Sequence, residues 1–146
     1  MLLQVDDQPL PRLLIKTILE AVSSLCPATG RSWSTGPRAP GATMPCPSPA
    51  LALQLDYSVL EATDGAEGLQ VFLRHREDIV FVFLDLMMPR LDGWRMAQAL
   101  RDWETKQRWQ PVPVVACTSE DVRQGTELYE RCLQSGMDDV AVSGLL

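Results

Sequence analysis

Asp85 closes the apolar run Ile79-Val80-Phe81-Val82-Phe83-Leu84, and the turn-forming stretch Leu86-Met87-Met88-Pro89-Arg90-Leu91-Asp92-Gly93 follows it. A run this apolar reads as a strand buried on both faces, at the centre of a parallel sheet. The C-terminal end of such a strand is the edge at which open α/β sheets hold their chemistry. A second acidic pair, Asp6 and Asp7, closes the short stretch Met1-Leu2-Leu3-Gln4-Val5. With the two strands as parallel neighbours, Asp6, Asp7 and Asp85 converge on one edge. Carboxylates that close repel one another and raise one another's pKa unless a cation lies between them. Mg²⁺ suits such a site, because it is hard, octahedral and bound through carboxylates, waters and substrate phosphate.

Holding those acids together requires a sheet and the helices that cover it. A helix is predicted from about Pro9 to Leu25, where Leu10, Leu13, Leu14, Ile18, Val22 and Leu25 recur at three- and four-residue spacing. Asp7 is placed to cap it. Strands are predicted over Tyr57–Ala62, Val80–Leu84, Pro113–Cys117 and Asp139–Val142. Between them fall helices over Gly65–Arg76, with Leu69, Phe72 and Leu73 inward, and over Gly93–Thr105, with Met96, Ala97, Leu100 and Trp103 inward. A further helix is predicted over Asp121–Ser135. This alternation makes an α/β fold with a doubly wound parallel sheet. Asp92-Gly93 reads as turn chemistry, since the dipeptide readily adopts left-handed geometry. His75, the only histidine, is expected on a solvated helix face beside Arg74 and Arg76.

Residues 26–54 break the rhythm. They hold six of the eleven prolines, three glycines and no acid. Such a segment buries too little apolar area to offset its ordering entropy, so it is expected to be a flexible insertion. The 146 residues otherwise suit one domain with a proper core. A net charge of −6 argues against nucleic-acid binding, which needs a basic face. No stretch is apolar for the length of a bilayer span. The four cysteines, Cys26, Cys46, Cys117 and Cys132, lack metal-ligand spacing. Cys117 and Cys132 sit in apolar settings and read as buried free thiols of a reducing compartment, cytoplasmic or nuclear.

The chain resembles the receiver domain of two-component response regulators and hybrid histidine kinases. The matching pieces stand in order: Val5-Asp6-Asp7-Gln8-Pro9, Tyr57 to Leu69 with Thr63-Asp64-Gly65, Phe83-Leu84-Asp85-Leu86-Met87-Met88-Pro89-Arg90-Leu91-Asp92-Gly93, Pro113 to Ser119, and Gly136-Met137-Asp138-Asp139-Val140. Together they cover nearly all of the chain outside residues 26–54, so residues 1–146 are read as a single receiver domain. The resemblance implies a five-stranded sheet in the flavodoxin-like order 2-1-3-4-5, which sets the first and third strands side by side. Receivers usually end in a further helix beside the first. Here only Gly144-Leu145-Leu146 follow the fifth strand, so that helix is expected to be missing and its face of the sheet to expose apolar surface.

By the same resemblance Asp85 is the phosphoacceptor, taking a phosphoryl group from a phosphohistidine on a histidine kinase or a histidine phosphotransfer protein. Asp7 and Asp85 would bind Mg²⁺ directly, Asp6 mainly through water, and the backbone carbonyl of Met87 would add a ligand. Thr118 would hydrogen-bond a phosphoryl oxygen and act as the switch. The plainer reading of Asp6, Asp7 and Thr118 is helix capping, with Thr118-Ser119-Glu120-Asp121 resembling a capping box. Two positions depart from the family. Ser143 stands where a lysine pairs with the phosphoryl group, and a hydroxyl brings no charge to that bond. Val140 stands where an aromatic side chain follows the threonine. These departures carry the alternative of a pseudo-receiver, an interaction module not switched by phosphorylation. Neither reading is an enzyme. A hydrolase with an aspartyl nucleophile needs a second acid to activate water, and the Asp85 element ends in Met87-Met88-Pro89 instead.

Overall fold

The computed structural model describes residues 1–6, 58–79, 81–119 and 125–142. The helix predicted over Pro9–Leu25, the Pro-rich insertion 26–54, Asp7, Ser143 and the C-terminal residues lie outside the described residues. Strands β1 (Leu2–Val5), β2 (Val59–Ala62), β3 (Phe81–Asp85), β4 (Val114–Thr118) and β5 (Asp139–Val142) form one sheet. Every neighbouring pair is parallel, and the order is β2-β1-β3-β4-β5, as expected. Three helices are described: α1 (Gly65–His75), α2 (Gly93–Gln107) and α3 (Glu127–Gln134).

The period-two alternation of the strands sorts their side chains onto two faces. Leu3, Val5, Val82, Leu84, Val114 and Ala116 join Phe72 of α1, Met96, Ala97 and Leu100 of α2, and Cys132 of α3 in one core. Leu69, Leu73 and Trp103 pack against it, so the inward faces predicted for both helices are the observed ones. The alternate positions Leu2, Gln4, Phe81, Phe83, Val115 and Cys117 are buried as well. Burial on both faces is what the unbroken apolar run of β3 requires.

Capping fixes where the helices begin. Asp64 accepts hydrogen bonds from Ala66 N and Glu67 N at the start of α1. Asp92 Oδ1 accepts from Arg95 N at the start of α2. The last helix starts later than its predicted Asp121. Gly125 lies at φ +84°, Thr126 is extended, and the Thr126 side chain accepts from Tyr129 N. A left-handed glycine and an extended capping residue end any helix that approaches from the N-terminal side.

Gln4 breaks the apolar lining of β1. The residue is 2% exposed, and neither Oε1 nor Nε2 has a hydrogen-bond partner among the described residues. A buried amide left unsatisfied costs about 1–3 kcal/mol. Gln4→Met is therefore expected to stabilise the domain by a similar amount, read as a higher urea midpoint at unchanged m-value. A lower midpoint would show that the amide is satisfied in solution.

Candidate functional site

The register of the sheet carries the acids to one place. Val5 pairs with Leu84 across β1 and β3, so Asp6, the next residue, comes opposite Asp85. Neighbouring strands are about 4.8 Å apart. Both aspartates are half-buried. Asp85 in turn pairs with Cys117 of β4, and Thr118 ends that strand one residue further along. Asp6, Asp85 and Cys117 share the parity of Gln4, Phe83 and Val115, so the three lie on the same side of the sheet edge. The Cys117 thiol registers the charge there. Its pKa is pushed up to about 12, first by burial and then by the negative charges of Asp6 and Asp85. As predicted, Cys117 and Cys132 are buried free thiols.

The loop after Asp85 is held at four points. Met87 N donates to Asp85 Oδ1 at 3.2 Å. Gly93 N donates to the Leu86 carbonyl, and Gly65 N to the Leu91 carbonyl. Arg90 Nη1 lies 3.0 Å from Asp64 Oδ2. Met88 and Leu91 pack against the core, whereas Met87 is 69% exposed. Asp92-Gly93 is not the left-handed element it was expected to be. Asp92 is extended at φ −70°, and the residue of the loop with positive φ is Arg90, at 66°. What Gly93 supplies is room: a Cβ there would sit 2.3 Å from the Asp85 carbonyl oxygen.

The structure thus brings Asp6, Asp85 and Thr118 to one sheet edge and sets Met87 in the loop directly beyond. Thr118 is buried. Asp7 and Ser143, the other predicted members, lie outside the described residues. Val140 is mid-strand in β5, paired with Ala116 and partly buried against the core. His75 is half-buried on α1. Among the described residues no three His, Cys, Asp or Glu side chains are grouped closely enough to hold a metal ion. Two carboxylates at adjacent strand tips, with a backbone carbonyl beside them, still form an all-oxygen donor set of the kind hard cations take.

Asp64 and Arg90 join the site without being marked as functional by residue type or spacing. For Asp64 a signal existed: Asp64-Gly65-Ala66-Glu67 has the spacing of a capping box. Glu67 Oε2 accepts from Thr63 N and Thr63 Oγ1, and these bonds hold its pKa below the ordinary value. For Arg90 no local signal marks the left-handed backbone.

The family profile for the response regulator receiver domain matches residues 48–142. The chain belongs to that family. The match runs from within the Pro-rich segment through β5 of the receiver. Over 135 residues the receiver is 28% identical to the sensor histidine kinase GacS of Pseudomonas protegens, which spans 92% of this chain and 11% of the kinase. It is 36% identical over 84 residues to the sensor histidine kinase RcsC of Escherichia coli, spanning 58% of this chain and 8% of the kinase. The chain thus spans about a tenth of the length of these relatives. Among solved structures, the Mg²⁺ complex of the receiver domain of histidine kinase CKI1 from Arabidopsis thaliana superposes with a TM-score of 0.57 at 21% identity, covering 99% of this chain and 83% of that one. The CheX–CheY–BeF3–Mg complex of Borrelia burgdorferi gives a TM-score of 0.55 at 18% identity, covering 97% and 75%. Likeness at such identities speaks for the fold. No helix among the described residues is long and apolar enough to cross a membrane.

Proposed function

We propose that this receiver accepts a phosphoryl group on Asp85, with Mg²⁺ held at the same edge. The single observation that carries the reading is the register that sets Asp6 opposite Asp85 at the tips of β1 and β3. A carboxylate oxygen of Asp85 would attack the phosphorus of a phosphohistidine. The new O–P bond forms as the P–N bond breaks, and the imidazole nitrogen leaves with the electron pair and takes up a proton. The attacking group is an anion approaching an anionic centre, so the transfer needs positive charge nearby. Mg²⁺, when bound, supplies that charge. Asp6, Asp7, Asp85 and the Met87 carbonyl are the groups that would hold it. Thr118 would donate its hydroxyl to a phosphoryl oxygen after transfer. The donor would be a histidine kinase or a histidine phosphotransfer protein, and the receiver would work inside the cell as one module of a two-component pathway.

Labelling with a phosphorylated donor in the presence of Mg²⁺ tests this. Label is expected on Asp85, stable to the Asp85→Asn change nowhere and lost with chelation of the metal. Label that persists in Asp85→Asn overturns the reading. A second reading has its own observation. Val140, in place of the aromatic, is partly buried against the core and has no ring to reorient, and Ser143 replaces the lysine. On that reading the fold serves as a protein-interaction module, and beryllofluoride with Mg²⁺ would leave its spectra unchanged.

A further inference from the structure

Arg90 occupies a conformation that its side-chain type disfavours. At φ 66° its Cβ crowds the following carbonyl, a cost that glycine at the same place avoids. It sits at the far end of the loop that begins at Asp85, and its guanidinium reaches Asp64 at 3.0 Å. The two partners differ sharply in environment, since the Arg90 side chain is 78% exposed and that of Asp64 is 3% exposed. Asp64 is also anchored from the other side, because its Oδ1 accepts both Ala66 N and Glu67 N. The neighbouring Gly65 N donates to the Leu91 carbonyl, next to Arg90. The carboxylate is therefore a fixed point on the N-terminus of α1, and the arginine ties the loop to it.

We propose that Arg90, latched to the buried Asp64, is a positioning residue that holds the Met87–Pro89 segment in place beside Asp85. This rests on the reading of Asp85 as a Mg²⁺-dependent phosphoacceptor. Between Leu86, whose carbonyl accepts from Gly93 N, and Arg90 lie only Met87, Met88 and Pro89. Fixing both ends of so short a span fixes the Met87 backbone, the group expected to contribute an oxygen ligand. The latch touches neither the metal nor the phosphoryl group. It acts by sparing those groups the entropy of ordering the loop when they bind.

The test separates positioning from folding. Arg90→Gly removes the ion pair and relieves the left-handed strain, so its thermal midpoint should stay near that of the wild type. Asp64→Asn keeps a competent cap and removes the charge. Each change is expected to weaken calorimetric Mg²⁺ affinity and slow Asp85 labelling by about threefold to fivefold, the range of a weak ion pair. The double variant should be no worse than either single one, because both break the same contact. Arg90→Lys should recover part of the loss. Wild-type affinity and rate in Arg90→Gly, or effects that simply multiply in the double variant, overturn the latch and leave the phosphoacceptor reading standing. A wild-type protein that neither binds Mg²⁺ nor labels on Asp85 overturns both.

Discussion

Arg101→Met is expected to cost the domain about 3–5 kcal/mol of stability, the range for removing one partner of a buried charge pair. Arg101 projects from α2 and directs all three guanidinium nitrogens at the chain around it. Nε donates to the Gly136 carbonyl, Nη1 to Glu104 Oε2 and to the Val112 carbonyl, and Nη2 to Asp138 Oδ2, at 2.7–2.8 Å. The Glu104 side chain is 2% exposed, and its Oε1 also accepts from Val112 N. Asp138 Oδ2 accepts in addition from Val114 N. One arginine thus joins α2 to the segments leading into β4 and β5, at the sheet end opposite Asp85. Removing it strands a buried carboxylate. Arg101→Lys should restore little, because an ammonium cannot serve these directions as the planar fork does.

The loss also carries a pH signature. Burial pushes the Glu104 carboxyl above its ordinary 4.5, and the Arg101 charge pulls it back. A carboxyl whose folded pKa lies above its unfolded value contributes stability that is full below the unfolded value. That contribution disappears as pH rises through the folded value. Without Arg101 the folded value climbs further, so the gap between variant and wild type should be widest near neutral pH and narrow toward pH 4.5. Urea unfolding across that interval measures it. A deficit under about 1 kcal/mol at pH 7 would place the network among surface pairs of little consequence.

That network also marks where sequence reading stops. The sheet was legible because β3 and β4 are unbroken apolar runs, and because Phe72, Met96, Ala97 and Leu100 keep helical spacing. The edge chemistry was legible because acids that end apolar strands fall together once the strand order is known. Arg101 and Glu104, three residues apart on a helix, look like any solvated ion pair. Their burial is decided by Val112, Gly136 and Asp138, which arrive from elsewhere in the chain and leave no local trace. The left-handed residue of the loop is hidden for the same reason. Asp-Gly is the stronger turn signal, yet the ion pair to Asp64 and the packing of Leu91 put the reversal on Arg90. The late start of α3 was readable in part, since Gly125-Thr126 is a plausible break and cap.

Gly93→Ala is expected to reach the chemistry more directly. The added methyl would lie 2.3 Å from the Asp85 carbonyl oxygen and 3.1 Å from Leu86 Cα. These are backbone atoms at the end of a central strand, not the free end of a side chain, so either the strand tip or the start of α2 must move. Overpacking of this kind costs about 1–3 kcal/mol, readable by urea unfolding. The larger effect should fall on Asp85 itself. Gly93 N also holds the Leu86 carbonyl, so a shift at residue 93 displaces both the acceptor's own peptide and the first peptide of the loop. A displacement near 1 Å at a reacting group can slow transfer by about a hundredfold. Asp85 labelling in the folded variant should therefore drop by at least about tenfold, with circular dichroism confirming that the sheet is retained. Labelling at the wild-type rate would mean that the loop absorbs the methyl without moving Asp85. The glycine would then be required by the fold and not by the site.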